Sequence, residues 1–188
     1  MEAISLLGMA GSGKSTIGKI LAEKLGFAYI STGDIARQLE IDNSWEKAGN
    51  LAPEEIMRDA FVDKVNRCMR DDFYGIIVDG MPRIPDQVNF LCSIFDRLGF
   101  IEIDVPIDVA RDRLYNRNRA DDKFEAIEKR LNTFNNNICG IESRIYDMIH
   151  IGKVDFSRVY SGVGSVNTIV QCILDDIIEE EEIKWEKA

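Results

Sequence analysis

The chain has one histidine, His150, in 188 residues. Histidine is the side chain whose ordinary pKa suits proton transfer near neutrality. Chemistry built on a histidine base is therefore excluded at any site remote from it, and His150 stands apart from every motif below, as a packing or surface residue. Cysteine is sparse as well. Cys68, Cys92, Cys139 and Cys172 lie far apart with no C-x-x-C pair, which argues against zinc and for reduced, mostly buried thiols. No run of 18 apolar residues occurs, so no membrane span is expected. The start of the chain lacks a basic stretch followed by an apolar leader, and a cytoplasmic location is the expectation. Positive charge is short: 23 Lys+Arg against 33 Asp+Glu give a formal net charge of −10. That balance argues against nucleic acid as a partner. If the chain handles an anion, its cationic side chains must be gathered in one place.

What is present begins at Gly8. The segment "GMAGSGKST", Gly8 to Thr16, fits G-x-x-x-x-G-K-[ST]. In such a loop glycines let the backbone wrap a phosphate, the lysine reaches the outer phosphates, and the hydroxyl after it is placed to touch Mg²⁺. The context is right: "EAISLLG" reads as a buried strand and "KSTIGKILAEKLG" as an amphipathic helix, with Ile17, Ile20, Leu21 and Leu25 at helical spacing. The loop says that a nucleotide phosphate is bound, and leaves open whether a switch, a motor, a transporter or a kinase uses it.

Further along, "FAYIS" (27–31), "GIIVDG" (75–80), "FIEIDVP" (100–106) and "FSRVYS" (156–161) read as strands. They alternate with helical patterns near 53–72, 85–98, 107–117, 121–149 and 165–179. Alternation of this kind predicts one α/β domain, a parallel sheet of five strands with helices on both faces. Ligands should gather beyond the C-terminal ends of the strands. The final "EEEEIKWEKA" reads as a solvated helix end or a frayed tail.

Three other stretches carry charge or polarity to the same edge. In "DGMPRIPDQ", Asp79 ends a strand, where a carboxylate can organise Mg²⁺ through water or simply start the turn. Arg83 follows a turn that aims it at the same crevice. In "STGDIAR", Thr32 and Asp34 fit a helix cap, and Arg37 a surface charge or a ligand contact. In "RDRLYNRNRADDKFEAIEKR", Arg113 and Arg117 share a helix face, Arg119 follows, and Arg130 lies on the next helix. Like charges at this spacing repel one another, and an intervening polyphosphate would relieve them; a solvated face with Asp112, Asp121 and Asp122 is the alternative.

Taken together and in this order, the four motifs resemble the adenylate kinase and nucleoside monophosphate kinase family over nearly the whole chain. The resemblance implies a P-loop three-layer sandwich, a small monophosphate-binding insertion (about 32–53) and a very short lid (about 117–122) within a single domain spanning 1–188. It implies Mg²⁺-dependent transfer of the terminal phosphoryl of ATP to AMP, on a monomer, with no zinc. Gly11, Ser12, Gly13, Lys14, Ser15 and Thr16 would hold ATP phosphates, with Arg113 against its adenine and Gly164 bordering it. Thr32, Arg37, Asn50, Leu51, Ala52, Gly80, Met81, Pro82, Arg83 and Gln87 would hold AMP. Arg117, Arg119 and Arg130 would clamp phosphates between the two, and with Lys14 and Arg83 would form the catalytic set. Ser15, and Asp79 through water, would serve the magnesium. The chain departs from the family in carrying Ala10 for Pro, Met81 for Phe and, relative to many members, Ser15 for Gly. A kinase for UMP, CMP or another small acceptor, and a slow ATPase that docks a partner, remain open beside this reading.

Overall fold

In the computed structural model, residues 1–39, 53–117 and 123–185 are described, with side chains through residue 177. The five apolar runs become strands β1 (Glu2–Leu7), β2 (Ala28–Ser31), β3 (Gly75–Asp79), β4 (Arg97–Asp104) and β5 (Phe156–Ser161). They form one sheet in the order β2-β3-β1-β4-β5, and every neighbouring pair is parallel. Among the described residues, seven helices connect or follow them: α1 (Lys14–Leu25), α2 (Thr32–Gln38), α3 (Glu54–Arg70), α4 (Pro85–Ile94), α5 (Ile107–Asn116), α6 (Phe124–His150) and α7 (Val166–Trp185). Residues 40–52 and 118–122 carry the greater part of the expected insertion and lid, and lie outside the described residues.

Burial explains the strand sequences. β1 and β3 are inner strands covered on both faces, so they read as continuous apolar runs rather than alternating ones. On one face Ala3, Leu7, Ile76, Val78, Leu98 and Phe100 pack against Phe61 of α3, Leu91 of α4 and Ile141 and Ile145 of α6. On the other, Ile4, Leu6, Ile77, Ile101 and Ile103 meet Ile17 and Leu21 of α1 and Val170 and Ile173 of α7. A third cluster, with Met9, Val105, Ala110, Leu114, Ile127 and Leu131, ties α5 and α6 to the loop after β1. β5 is an edge strand, and its Val159 is exposed. Among the described residues no helix is long and apolar enough to cross a membrane.

Two expectations change. The helix predicted over 85–98 ends at Ile94, and β4 starts at Arg97, three residues before the expected strand. Phe95 and Leu98 are three apart, a spacing that mimics a helix face, yet Leu98 is fully buried as a strand residue beside Ala3. Arg97 also pairs with Glu2 across the strands at 2.8 Å. The cysteines, expected to be mostly buried, divide evenly: Cys68 and Cys92 are half-buried, while Cys139 and Cys172 are exposed. The last two fall on the solvent faces of long amphipathic helices, where an isolated apolar residue is ordinary.

Gly99 of β4 lies opposite Phe156 of β5. A Cβ there would overlap the ring of Phe156, directly opposite in the register. Gly99→Ala should therefore cost about 1–3 kcal/mol through overpacking, seen in urea as a lower unfolding midpoint at unchanged slope. An unchanged midpoint would mean that the Phe156 ring swings aside freely.

Candidate active site

The phosphate loop leaves β1 and enters α1 with no side chain capping the helix, because the residue before it is Gly13 in the left-handed region at φ 101. The first N–H groups of α1 therefore face the loop's hollow, where the positive end of the helix favours an anion. Lys14 folds back over that hollow. Its ammonium donates to the carbonyl of Gly8, to that of Met9 at 2.8 Å and to Ser12 Oγ at 3.2 Å. Burial lowers its pKa to about 8, with Asp79 opposing the shift and Arg83 adding to it. Gly11 has φ +86, and a Cβ on it would strike the carbonyl of Ala110 in α5. The loop is thus pressed against α5. Arg113 of α5 secures it from the side, donating to the carbonyls of Gly11 at 3.4 Å, Ser12 at 3.3 Å and Gly162 at 3.0 Å.

At the end of β3, Asp79 is buried. Its Oδ2 accepts from Ser15 Oγ and from Tyr29 Oη, each at 2.6 Å. Burial and the Asp79 charge push the Tyr29 phenol well above its usual range. A hydroxyl and a carboxylate beside the phosphate loop are hard oxygen donors of the kind magnesium takes, with phosphate oxygens and water completing its shell. The residues present therefore fit the ion. Among the described residues no three His, Cys, Asp or Glu side chains converge as a metal cage. Glu102 of β4, whose charge interacts with Lys14, is raised to about 7, first by burial and then by Glu142 and Asp104.

The turn after β3 places the next group. The carbonyl of Met81 accepts from buried Ser5 Oγ at 2.6 Å, and the Met81 side chain sits in the core, away from the cleft. Arg83 Nε donates to the carbonyl of Gly80 at 2.7 Å, while Asn137 of α6 donates to the carbonyl of Arg83 at 3.0 Å. Gln87, on the first turn of α4, is buried. Thr32 is buried with its hydroxyl 3.3 Å from the Asp79 carbonyl. It does not cap α2; Ser31 does, accepting from the N–H of Asp34. The helix begins one residue earlier than the motif suggested, which turns Thr32 inward. Arg37 pairs with Asp34, one turn before it.

These elements enclose a cleft of about 400 Å³. Gly11, Gly13, Lys14, Ser15, Thr16, Arg37, Asp79, Gly80, Pro82, Arg83, Arg113, Arg117 and Arg130 line it. Ser12 of the loop is buried and outside the lining, and Thr32, Met81 and Gln87 stand behind the lining. Gly164, at φ +135, lies in the connection after β5, outside the lining. Asn50, Leu51, Ala52 and Arg119 are outside the described residues. Sequence reasoning missed Tyr29, Ser31, Gly33, Glu102 and Phe134. Only Phe134, four residues after Arg130 on α6, carried a signal, since that spacing shares a helix face. His150 is exposed, with Nδ1 2.8 Å from the Tyr146 carbonyl. Among the described residues, six cationic side chains and one carboxylate line the cleft. It is built for a polyanion.

Comparison with known proteins gives consistent relatives. A family described as an AAA domain matches residues 7–128. Adenylate kinase 1 of a Nostoc species is 33% identical over 147 residues, 71% of this chain and 79% of that protein. The adenylate kinase of Mycobacterium leprae is 31% identical over 180 residues, 86% of this chain and 98% of its own. That of Micrococcus luteus is 31% identical over 199 residues, covering 94% and 91%.

The lowered pKa of Lys14, about 8, has a measurable consequence. Above that pH the ligand-free lysine is mostly neutral, and a bound polyphosphate restores its charge by attraction. Nucleotide binding at pH 8.5 should therefore take up a proton fraction, seen calorimetrically as a heat that changes with the buffer's ionisation enthalpy. In Lys14→Arg, whose guanidinium stays charged, the lysine's share of that uptake should vanish. Equal uptake in both proteins would place the titrating group elsewhere.

Proposed function

The chain belongs to the adenylate kinase family and is a nucleoside monophosphate kinase, and from that premise we propose that it converts ATP and AMP to two ADP. The observation that carries the acceptor assignment is the buried amide of Gln87, four residues after Arg83 on the same turn-to-helix segment. An arginine for the monophosphate and an amide for the base thus come from one rigid piece. An amide offers a donor and an acceptor side by side, as adenine does at its amino group and neighbouring ring nitrogen. Buried Thr32, hydrogen-bonded to the Asp79 carbonyl, supports the same end of the site.

The chemistry needs no general base, which accords with the lack of a nearby histidine. The second ionisation of a phosphate monoester lies near 6, so AMP arrives with a nucleophilic oxygen. That oxygen attacks the terminal phosphorus of ATP, the bond from phosphorus to the bridging oxygen breaks, and ADP leaves carrying the electron pair. What remains for the protein is alignment and charge neutralisation. Lys14 would turn from the loop carbonyls to the transferred group. Arg83, braced on the Gly80 carbonyl, would hold the acceptor phosphate. Arg117 and Arg130 line the cleft between them, with Arg119 assigned to the same set, and Asn50 to Ala52 to the acceptor nucleoside. Arg113 would keep the loop seated while bordering the ATP base, with Gly164 on its other side. Magnesium, when bound, would supply charge neutralisation on the phosphates; Ser15 would touch it and Asp79 would hold its water.

Diphosphate formation from ATP with AMP, UMP, CMP and GMP tests the reading. AMP should be preferred by about 10² in kcat/KM, the modest end of what unpaired polar groups can enforce. Lys14→Ala and Arg83→Ala should each lose roughly 10³ or more in transfer while melting as the unaltered protein does. A better rate with UMP or CMP would leave the kinase and remove the AMP assignment. Hydrolysis of ATP at a rate indifferent to every monophosphate would indicate a switch rather than a transferase.

A further inference from the structure

The proposed role of Gln87 leaves a question that its neighbours answer. A side-chain amide can be turned over, exchanging its oxygen for its nitrogen, and a freely turning amide serves either kind of base. Here both ends are already engaged inside the protein. Gln87 Oε1 accepts the backbone N–H of Arg83 at 2.6 Å, and Nε2 donates to Glu54 Oε2 at 2.8 Å. Turned over, the amide would set a nitrogen donor against an N–H and an oxygen against a carboxylate, two repulsive contacts in a buried place. One N–H and one lone pair stay uncommitted, in fixed order.

The carboxylate is the stronger half of this lock, since a hydrogen bond to an ionised acceptor outweighs a neutral one. Glu54 is itself held in two further ways. It is the first residue of α3, where the helix end favours negative charge. Its Oε1 accepts from Arg58 Nε at 2.9 Å, one turn on. The Arg58 guanidinium lies 4.9 Å from the ring centroid of Phe90, on the same helix, α4, as Gln87. Two contacts thus fasten α3 to α4, and the first fixes the amide.

We propose that Glu54 is a positioning residue that determines base specificity: its carboxylate sets which way round Gln87 presents its donor and acceptor. This rests on Gln87 reading the acceptor base. Adenine and cytosine show an amino donor beside a ring acceptor, while uracil and guanine show a carbonyl acceptor beside a ring N–H. A locked amide serves one class in a given pose, and an unlocked one turns over for the other.

The test is kcat/KM for AMP, CMP, UMP and GMP in the unaltered enzyme and in Glu54→Ala, Arg58→Ala, Glu55→Ala and Gln87→Ala. Glu54→Ala should reduce the preference for amino-edge over carbonyl-edge acceptors by about tenfold, the scale of a charge-assisted hydrogen bond. Arg58→Ala should move the ratio the same way by less, and gives the answer if Glu54→Ala folds poorly. Glu55 is exposed in the same helical turn, so Glu55→Ala removes a similar charge near the helix end and should leave the ratio alone. An unchanged ratio in both Glu54→Ala and Arg58→Ala, with the ratio lost in Gln87→Ala, would overturn the proposal and leave the AMP assignment intact. A starting preference for UMP or GMP would overturn the AMP assignment, and the proposal would then stand if Glu54→Ala still erased that preference.

Discussion

Everything in the cleft depends on how tightly the phosphate loop is backed. The loop leaves the central strand and presses on the backbone of α5 at Ala110. Arg113 of that same helix fastens it to the connection after β5. A loop so supported keeps its N–H groups converging on one point without a ligand to hold them. Its lysine is parked on the loop's own carbonyls. An incoming phosphate exchanges those bonds for stronger ones, and little backbone reorganisation is required. Preorganisation of this kind is where most of the catalytic advantage in phosphoryl transfer resides.

The contrast between the whole and the site is electrostatic. A chain of net charge −10 repels polyanions at long range. Inside the cleft the sign is reversed, with arginines converging from four separate segments around Lys14. In a concave, partly desolvated space such a field is screened less than one on an open surface. Burial disfavours the charge of both Lys14 and Glu102; Arg83 adds to the lowering of Lys14 while Asp79 opposes it, and Glu142 and Asp104 add to the raising of Glu102.

Much of this was legible in the sequence because it was local. The glycine spacing of the loop, the strand–helix alternation and the acidic residue ending β3 are all short-range patterns. So were the paired arginines of α5. What the sequence concealed was decided by contacts between distant segments. Phe95 and Leu98 imitate a helix until the opposite strand claims Leu98. Thr32 looks like a cap until Ser31 takes that place and turns it inward. Tyr29 has nothing beside it in the chain to mark it, since its partner Asp79 lies on the neighbouring strand. Glu54 resembled an ordinary helix-starting acid, and only the fold puts it against Gln87.

The order of the strands bears on how the protein comes into being. β1 is made first, yet it lies between β3 and β4, with β5 beyond them. Its apolar residues have no sheet partner until the middle of the chain has left the ribosome. The loop after it lacks the Arg113–Gly162 tie until β5 has followed. At about 5–20 residues per second of synthesis, that interval is on the order of ten to thirty seconds. During its early part the apolar segment of β1, and throughout it the loop beside that strand, must be shielded by whatever surrounds the emerging chain.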